Sequence, residues 1–529
     1  MRLSALILAS AGALAVPAPA ARAPATYQNP ILFADYSDPD AIRVGRDYYM
    51  VASTFHFSPG IPVLKSGDLV HWTIIGHVLP KLPFAPEFDM PGPHQLTDAI
   101  SKPIGGTRYA GGVWAPAIRF RNGLFHVYWA TPDEGVFMAT ARNPAGPWTK
   151  PVTVIAQAGL EDPCPFWDDD GSAWLVHSRV GAGPLILHRM SPDGKRVLDD
   201  GVVIAEDKEK LPILEGPKLY KRNGYYYIFA PIGGVEKGPQ AVGRARNIRG
   251  PYDWRVVLEP GSTPIQGPHQ GGYVETPSGE GWFAHFNSTG GFGRIVHLQP
   301  VRWVDDWPVM GQPIPGRNSG QPVRVHAMPD TGNPPDPARL QASDEFSSPR
   351  LGLQWSWNHN PDDRNWSLAE RPGFLRLKAQ PAEHLVGARN TLTQILQGPR
   401  MDVTARVDGS RMTEGQRGGL AIFQVRNAWI GLVRQGGRTF VAAASEGHER
   451  IGPELKGRTI DLRLQVAPDQ TASFAYSLDG GRRFVPFGEI VPIRFSWWKG
   501  ARPALFSFTR GEAGGAIDVD WVRVTTGRE

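Results

Sequence analysis

The chain has 529 residues, of which 56 are basic and 51 acidic, so its formal net charge is +5. A chain of this length exceeds one compact core, and at least two domains are expected. No long basic run occurs, so neither a nucleic acid nor a membrane surface is expected as a partner. Together, 61 Gly, 50 Pro and 41% hydrophobic residues favour a turn-rich all-β protein over a disordered one.

The N-terminus has the pattern of a secretory signal peptide. Arg2 precedes a small apolar stretch from Ser4 to Val16, and Ala18-Pro19-Ala20 offers a small-residue cleavage site. We therefore expect residues 1–23 to be a signal peptide and the protein to be secreted or periplasmic. The single cysteine, Cys164, excludes an intrachain disulfide and is expected to be a small buried hydrophobe.

Residues 27–325 contain short alternating or apolar runs without a long helical period, so strands are expected throughout. Five strand-turn-strand units recur. Three of them are followed by a similar third segment that ends in an aromatic residue (Trp72, Trp148, Tyr252). We expect these aromatic side chains to pack between repeats. The turn glycines recur every 48 to 78 residues, at positions 45, 123, 171, 224 and 279. Such a period is typical of radial repetition, which predicts a five-bladed β-propeller.

The start of each repeat carries the residues of chemical interest. Equivalent positions of different blades converge on the central channel, and the residues predicted to meet there are Asp38, Trp114, Asp162, Glu215 and His269. An Asp before Pro often only starts a turn. Three carboxylates at repeated places nevertheless favour function, and a pocket of carboxylates and aromatics is typical of a glycosidase.

The rest of the chain predicts a second domain. Residues 326–340 are rich in Pro and predict a linker, and residues 341–529 alternate as half-buried antiparallel strands, typical of a β-sandwich. A loop of this sandwich could reach across the propeller and narrow the pocket, which would make the enzyme exo-acting.

Several motifs, in order, resemble glycoside hydrolase family 43. They are Ser37-Asp38-Pro39-Asp40, Val113-Trp114-Ala115-Pro116, Glu161-Asp162-Pro163, Leu214-Glu215-Gly216-Pro217 and Gly293-Arg294. The trailing region resembles the concanavalin-like domain of the family's β-xylosidase and α-L-arabinofuranosidase branch. The resemblance implies an exo-acting inverting hydrolase that releases terminal α-L-arabinofuranosyl or β-D-xylosyl units from plant cell-wall polysaccharides or oligosaccharides.

The resemblance also implies roles. Asp38 corresponds to the general base, Glu215 to the general acid, and Asp162 to the residue that modulates and orients the acid. Four further residues correspond to substrate-binding positions: Trp114, Phe55, Arg294 and His269. No cofactor is required, although in some members the histidine corresponding to His269 helps bind a hydrated calcium ion, which leaves a structural calcium there open.

One residue departs from the family pattern. Many β-xylosidases of the family have an aromatic residue before the middle Asp, whereas this chain has Glu161. The change argues against strict xylosidase specificity and favours arabinofuranosidase or mixed activity. Because strand neighbours alternate faces, Glu161 is expected to point away from the channel.

Two alternatives remain at this point. Fructan-cleaving hydrolases also combine a five-bladed propeller, a sandwich and three acids, but with an Asn-Asp-Pro-Asn type of first motif. A propeller could also be a non-catalytic carbohydrate-binding module. If the enzyme inverts the anomeric configuration of the sugar, the carboxyl groups of Asp38 and Glu215 should lie roughly 6.5–9.5 Å apart.

Overall fold

The computed structural model describes residues 25–92, 105–334 and 336–527. Regular structure in these residues is almost entirely β-strand, and the helices among them are short 3-10 turns at Pro86–Asp89, Gly290–Phe292, Asp363–Asn365 and Leu385–Gly387. No helix of the described residues combines the length and apolar character needed to cross a bilayer. The predicted signal peptide, residues 1–23, lies outside the described part of the chain.

Five sheets, each built on four antiparallel strands, form the propeller, which confirms the predicted architecture. From the channel outward, blade 1 contains Asp40–Val44, Asp47–Val51, Gly60–Ser66 and Thr73–Leu79. Blade 2 contains Trp114–Arg121, Leu124–Thr131, Gly135–Ala141 and Val152–Ile155. Blade 3 contains Leu160–Trp167, Ala173–Arg179, Leu185–Met190 and Val202–Ala205. Blade 4 contains Lys218–Arg222, Tyr225–Pro231, Gln240–Ala245 and Asp253–Leu258, extended by Gly320–Gln321 and Gln312–Pro313.

Blade 5 closes the ring with a strand from the other end of the domain. Its strands are His269–Glu275, Gly281–Ser288, Arg294–Val304 and, outermost, the early strand Leu32–Asp35, with Trp307–Met310 beside Arg294–Val304. In addition, Thr26–Gln28 pairs with Val325–Ala327, so this strand overlaps the start of the predicted linker. These pairings join the N-terminal and C-terminal segments of the propeller and so close the ring of blades.

The turn glycines serve the function that their recurrence suggests. Gly45, Gly123, Gly171, Gly224 and Gly279 all have positive φ, between 64° and 89°. They lie in the tight connection between the first and second strand of each blade, where a residue with a Cβ would be strained.

The propeller core lies between blades. Five clusters of buried apolar side chains each join two neighbouring blades, for example Val51 with Val127 between blades 1 and 2, and Met138 with Leu175 between blades 2 and 3. The aromatics predicted to pack between repeats do so: Trp72, Trp148 and Tyr252 each contact one of these clusters. Cys164 is buried in one of them, as expected.

Two large sheets form the second domain, a β-sandwich. One sheet contains His448–Glu454, Arg438–Ser445, Ala428–Gln435, Gln416–Phe423, Arg502–Thr509, Leu392–Thr393 and Ser356–Asn358, with Gln380–Pro381 beside Arg502–Thr509. The other contains Trp366–Ser367, Leu375–Lys378, Ala516–Gly527, Arg400–Asp408, Thr459–Val466, Thr471–Ser477 and Val485–Pro486, with Val491–Pro492 beside Thr471–Ser477.

The two domains share structure rather than only touching. The strand Phe57–Ser58 of the propeller pairs with Ser356–Asn358 and so adds an edge strand to the sandwich. Lys499 of the sandwich is 1% exposed. Its Nζ donates to the Asp35 carbonyl and the Ser37 hydroxyl, both at 3.0 Å, and lies 3.4 Å from Asp35 Oδ1. Burial lowers the pKa of Lys499 to about 8, with Asp35 opposing the shift.

We expect Lys499→Met to destabilise the protein strongly, because it would leave the Asp35 carboxylate buried without its cation. Breaking a buried pair in this way costs about 3–5 kcal/mol, measurable as a lower urea midpoint. Lys456→Met is the matched control, since Lys456 is 80% exposed and pairs with Glu454 at the surface. Equal midpoints for the two variants would contradict a structural role for the Asp35–Lys499 pair.

Candidate active site

At the start of each innermost strand, one residue adopts the left-handed backbone region. The five residues, with φ between 36° and 58°, are Asp38, Ala115, Asp162, Gly216 and Gln270. Left-handed backbone costs a residue with a Cβ about 1–2 kcal/mol, and Asp tolerates it better than most. The same conformation in all five blades therefore indicates a shared structural requirement.

The requirement is a bulge at the channel mouth. In blades 2, 3 and 5 the pairing of the innermost strand skips a residue just here, between Trp114 and Ala117, between Glu161 and Cys164, and between His269 and Gly271. A bulge breaks the alternation of side chains. In these three blades the bulge therefore places two successive residues at the mouth of the channel. In blades 1 and 4, Asp38 and Gly216 adopt the same backbone region just before the innermost strand begins.

This geometry corrects one part of the sequence interpretation. The five predicted residues are not all equivalent; they belong to two adjacent positions of the repeat. The left-handed position holds Asp38, Ala115, Asp162, Gly216 and Gln270, and the preceding position, called here the outer ring, holds Ser37, Trp114, Glu161, Glu215 and His269. The error arose because the proline was taken as the reference point. Asp38 and Asp162 directly precede it, whereas one residue separates Trp114 and Glu215 from it.

Asp38 is held on one side of the pocket by an arginine and a serine. Its Oδ1 accepts a hydrogen bond from Arg294 at 2.9 Å, and its Oδ2 accepts one from the Ser53 hydroxyl at 2.5 Å. Ser53 in turn accepts from the Ala115 amide at 2.7 Å. Asp38 and Arg294 are only 4% and 5% exposed, so the carboxylate is fixed in one orientation.

Glu215 and Asp162 form the other side. Glu215 Oε1 lies 3.0 Å from His269 Nε2, and the Gly216 amide next to it donates to Asp162 Oδ2 at 2.7 Å. Glu215 keeps part of its side chain exposed (17%), whereas His269 is fully buried. The structure thus brings together Asp162, Glu215 and His269, as the sequence predicts, and leaves Glu215 accessible to a ligand.

Glu161 faces this cluster, and the expectation that it points away is wrong. One carboxylate oxygen from each of Glu161, Asp162 and Glu215 can be chosen so that all three lie within 4.8 Å of one another. The rule of alternating faces fails here because Asp162 has φ 57° and sits in the bulge.

Crowding of buried carboxyl groups changes their protonation. Burial, followed by the charges of Asp162 and Glu215, raises the pKa of Glu161 to about 9. Burial and the charge of Glu215 raise the pKa of Asp162 to about 7, and Lys218 opposes that shift. Both shifts follow from the cost of placing charge near like charge in a poorly solvated site. Proton sharing of this kind is typical of acid–base active sites.

Aromatic side chains line the same mouth. Trp114 donates its Nε1 hydrogen to the Ala110 carbonyl at 2.8 Å, which fixes the plane of the indole. Phe55 packs edge-on against it at 5.9 Å between ring centroids and is only 2% exposed. Phe55 therefore supports Trp114, and its direct contact with a sugar stays a prediction.

A loop of the sandwich does reach the pocket. Trp498 lies 6.1 Å from Trp114 between ring centroids and 5.8 Å from the Arg294 guanidinium, and Phe495 lies at a similar distance from Arg294. Trp498 retains partial exposure, whereas Trp497 beside it is buried against Tyr109. The second domain thus supplies one wall of the site.

The donors around His269 do not make a calcium cage. Calcium prefers six to eight oxygen ligands, and the one carboxylate beside His269 is Glu215. Among the described residues, the only group of three or more candidate ligands is Glu161, Asp162 and Glu215, which excludes the histidine. A structural calcium at His269, which the sequence leaves open, gains no support from this donor set.

A second opening lies at the far end of the channel. A cavity of about 630 Å³ is lined there by the last residues of all five innermost strands, among them Arg119, Tyr220, Glu275 and the neighbouring Trp303. Its charges are largely paired, for example Arg119 with Asp40. The end that carries Asp38 and Glu215 is the candidate active site, because the buried carboxyl groups with raised pKa lie there.

Comparisons with known proteins agree with this geometry. Residues 27–308 match "Glycosyl hydrolases family 43", and residues 343–525 match "Beta xylosidase C-terminal Concanavalin A-like domain". A protein from Xylanibacter ruminicola is 44% identical over 480 residues, 90% of this chain and 85% of its own. A β-xylosidase from Formosa agariphila is 34% identical over 551 residues, 94% of this chain and 90% of its own.

A solved structure extends the likeness to three dimensions. A family 43 glycoside hydrolase, engineered to display both endo-xylanase and exo-arabinofuranosidase activity, matches with a TM-score of 0.83 at 28% identity. The match covers 95% of this chain and 99% of that chain. The fold and the site define a propeller glycosidase, and the chain belongs to glycoside hydrolase family 43. Neither a fructan-type hydrolase nor a non-catalytic propeller is favoured by these findings.

Sequence reasoning missed two residues of the site. Ser53 connects Asp38 to the backbone of blade 2, and Lys218 is fully buried with no hydrogen-bond partner for its Nζ among the described residues. Lys218 directly follows the Glu215-Gly216-Pro217 motif, and this position beside the motif was the available signal. Ser53 carries no such signal.

We expect Glu161→Gln to stabilise the protein increasingly as the pH rises from about 5 to about 8. A pKa raised in the folded state means that folding is favoured at low pH and loses free energy as the pH rises toward that pKa, by up to about 1.4 kcal/mol per unit. The amide cannot ionise and avoids this loss. The difference in unfolding midpoint between Glu161→Gln and wild type, measured from about pH 5 to about pH 8, tests this prediction.

Glu489→Gln is the control for that comparison, because Glu489 is an exposed residue of the sandwich. It should leave the pH dependence unchanged. If the midpoint of Glu161→Gln ran parallel to wild type from pH 5 to 8, Glu161 would not take up a proton on folding.

Proposed function

We propose that the chain is an exo-acting, inverting glycoside hydrolase. It would release terminal α-L-arabinofuranosyl or β-D-xylosyl units from plant cell-wall polysaccharides or oligosaccharides. The observation that carries the proposal is that Asp162 and Glu215 lie together at an aromatic mouth, and that Asp38, held by Arg294, is near enough for its charge to act on Asp162. The activities of the similar proteins, β-xylosidase and exo-arabinofuranosidase, support pentosyl units as the sugar.

Asp38 acts as the general base in this proposal. Both of its oxygens accept hydrogen bonds from protein donors, so the carboxylate keeps a fixed direction, and its remaining lone pairs can accept a proton from water. An inverting enzyme needs this water between the base and the anomeric carbon, on the face opposite the leaving oxygen. Arg294 would also balance charge as the water becomes a nucleophile.

Glu215 acts as the general acid. It is the partly exposed carboxyl group of the cluster, so a leaving oxygen can approach it within hydrogen-bonding distance. The neighbouring negative charge of Asp162 disfavours loss of a proton from the cluster, and His269 holds one oxygen of Glu215 in place. The reaction uses these side chains and water, without an organic cofactor.

The walls of the pocket suit the end of a sugar chain. Trp114 offers a flat ring, and Trp498 approaches it from the other domain at 6.1 Å. A pocket narrowed on two sides in this way admits a terminal unit more readily than the middle of a polymer. We attribute the exo action to this second wall.

We expect Glu215→Gln to lower kcat on aryl pentosides about 10²–10⁴-fold, the usual contribution of general acid catalysis. The loss should be smaller on substrates whose leaving group needs no proton, such as dinitrophenyl pentosides. Steady-state kcat values on ordinary aryl pentosides and on dinitrophenyl pentosides measure the two losses. Glu489→Gln serves as the matched control, and turnover by Glu215→Gln equal to wild type would remove Glu215 from the role of acid.

The stereochemical outcome is a separate prediction. Attack by water from the Asp38 side should give a first-formed sugar with inverted anomeric configuration. Proton NMR within the first minutes of hydrolysis, before mutarotation, distinguishes the two anomers. Net retention would show that one carboxylate attacks the sugar directly, and the proposed roles would then be wrong.

We also propose that the protein is exported, on the strength of the sequence pattern in residues 1–23. Intact-mass measurement of the protein recovered from the periplasm or medium of an expressing bacterium tests this. A mature chain that begins near residue 24 is expected, and an uncleaved cytoplasmic product would refute it.

A further inference from the structure

Glu161 occupies a position that the other blades use for function. In the outer ring its counterparts are Trp114, Glu215 and His269, which are the sugar platform, the acid and the residue that holds the acid. Glu161 lies in the blade between Trp114 and Glu215. One of its carboxylate oxygens lies within 4.8 Å of one of Glu215, the proposed acid.

The carboxyl group of Glu161 is poorly satisfied by the protein. Its two hydrogen bonds within the described residues both end on Oε1, from the Ser178 hydroxyl at 3.4 Å and from the Ala182 amide at 3.3 Å. Both distances exceed the usual range for such bonds. A buried carboxyl group normally has better partners, so capacity for a further partner remains at a residue that is 5% exposed.

The charges around Glu161 make it a neutral acid. The groups that face it are the carboxyls of Asp162 and Glu215 and the Ser178 hydroxyl, and the buried cation nearby, Lys218, acts on Asp162. Burial and the two neighbouring charges raise the pKa of Glu161 far above its ordinary value. A protonated carboxyl group donates one hydrogen bond and accepts others, which is the pairing that a sugar hydroxyl requires.

We propose that Glu161 is a specificity-determining residue of the active site, which binds a hydroxyl group of the terminal pentosyl unit. This inference rests on the proposed function and adds a residue to its substrate recognition. Arabinofuranosyl and xylopyranosyl units place their hydroxyl groups differently around the ring. A site that hydrogen-bonds one arrangement discriminates against the other, because the misplaced partner leaves a buried polar group unpaired.

The test compares Glu161→Gln with Glu161→Leu on paired aryl α-L-arabinofuranoside and β-D-xyloside. The amide keeps a donor and an acceptor without charge, so Glu161→Gln should retain kcat/KM on the preferred substrate within about 3-fold. Leucine cannot hydrogen-bond, so Glu161→Leu should lose about 10–100-fold, mostly in KM, the size expected for one buried hydrogen bond. The ratio of the two activities should change at least about 5-fold.

Binding gives a second readout that does not need turnover. In an Asp38→Asn background, which should bind pentosides without cleaving them, calorimetry should show Glu161→Leu weakening the preferred pentoside about 10-fold or more. Glu161→Gln should bind within about 3-fold of its parent. Glu489→Gln and Glu489→Leu are matched controls at an exposed site, and melting curves verify that each variant is folded.

Three results would overturn the inference. They are a folded Glu161→Leu with wild-type kcat/KM on both pentosides, equal losses on both substrates, and a loss in Glu161→Gln as large as in Glu161→Leu. Failure of the proposed function looks different, since wild type itself would then hydrolyse neither pentoside. If the wild type is active and substitution of Glu161 changes neither activity, only the proposed role of Glu161 is refuted.

Discussion

The backbone conformation at the start of the innermost strands is the constraint on which the site depends. In a regular strand, only every second side chain would face the channel. A left-handed residue in each blade, which in blades 2, 3 and 5 lies within a bulge where the pairing is offset, places two successive side chains at the mouth. Asp38 and Asp162 are thereby brought beside the outer ring that holds Trp114 and Glu215.

This arrangement concentrates carboxyl groups where solvent is scarce. Buried acids close together cannot all ionise, so they retain protons near neutral pH and lower the stability of the folded protein as the pH rises. Two cations oppose this accumulation of negative charge. Lys218 acts on Asp162, and Arg294 donates a hydrogen bond to Asp38. The same desolvation raises the pKa of Glu161 and Asp162, the two carboxyl groups beside Glu215. Stability and acid–base function therefore oppose each other at this site.

The sandwich is part of the active site rather than an appendage. Its loop places Trp498 beside Trp114, and its Lys499 is anchored to Asp35, three residues before Asp38. The strand Phe57–Ser58 ties the sandwich to the segment that follows Ser53 and Phe55. Both contacts lie close to the residues that hold the base. The position of Asp38 thus depends on contacts made by both domains.

The sequence alone determined the fold class, the number of blades and five of the residues at the channel mouth, because turn glycines and proline motifs recur locally. Gly45, Gly171 and Gly224 mark turns that short-range sterics dictate, and Asp38 and Glu215 stand in local motifs. The direction of Glu161 and the division of the mouth residues into two positions came only from the tertiary structure, because a bulge depends on pairing with a neighbouring strand. The contacts of Lys499 and Trp498, more than 380 residues from Asp35 and Trp114, likewise exist only once the two domains have packed together.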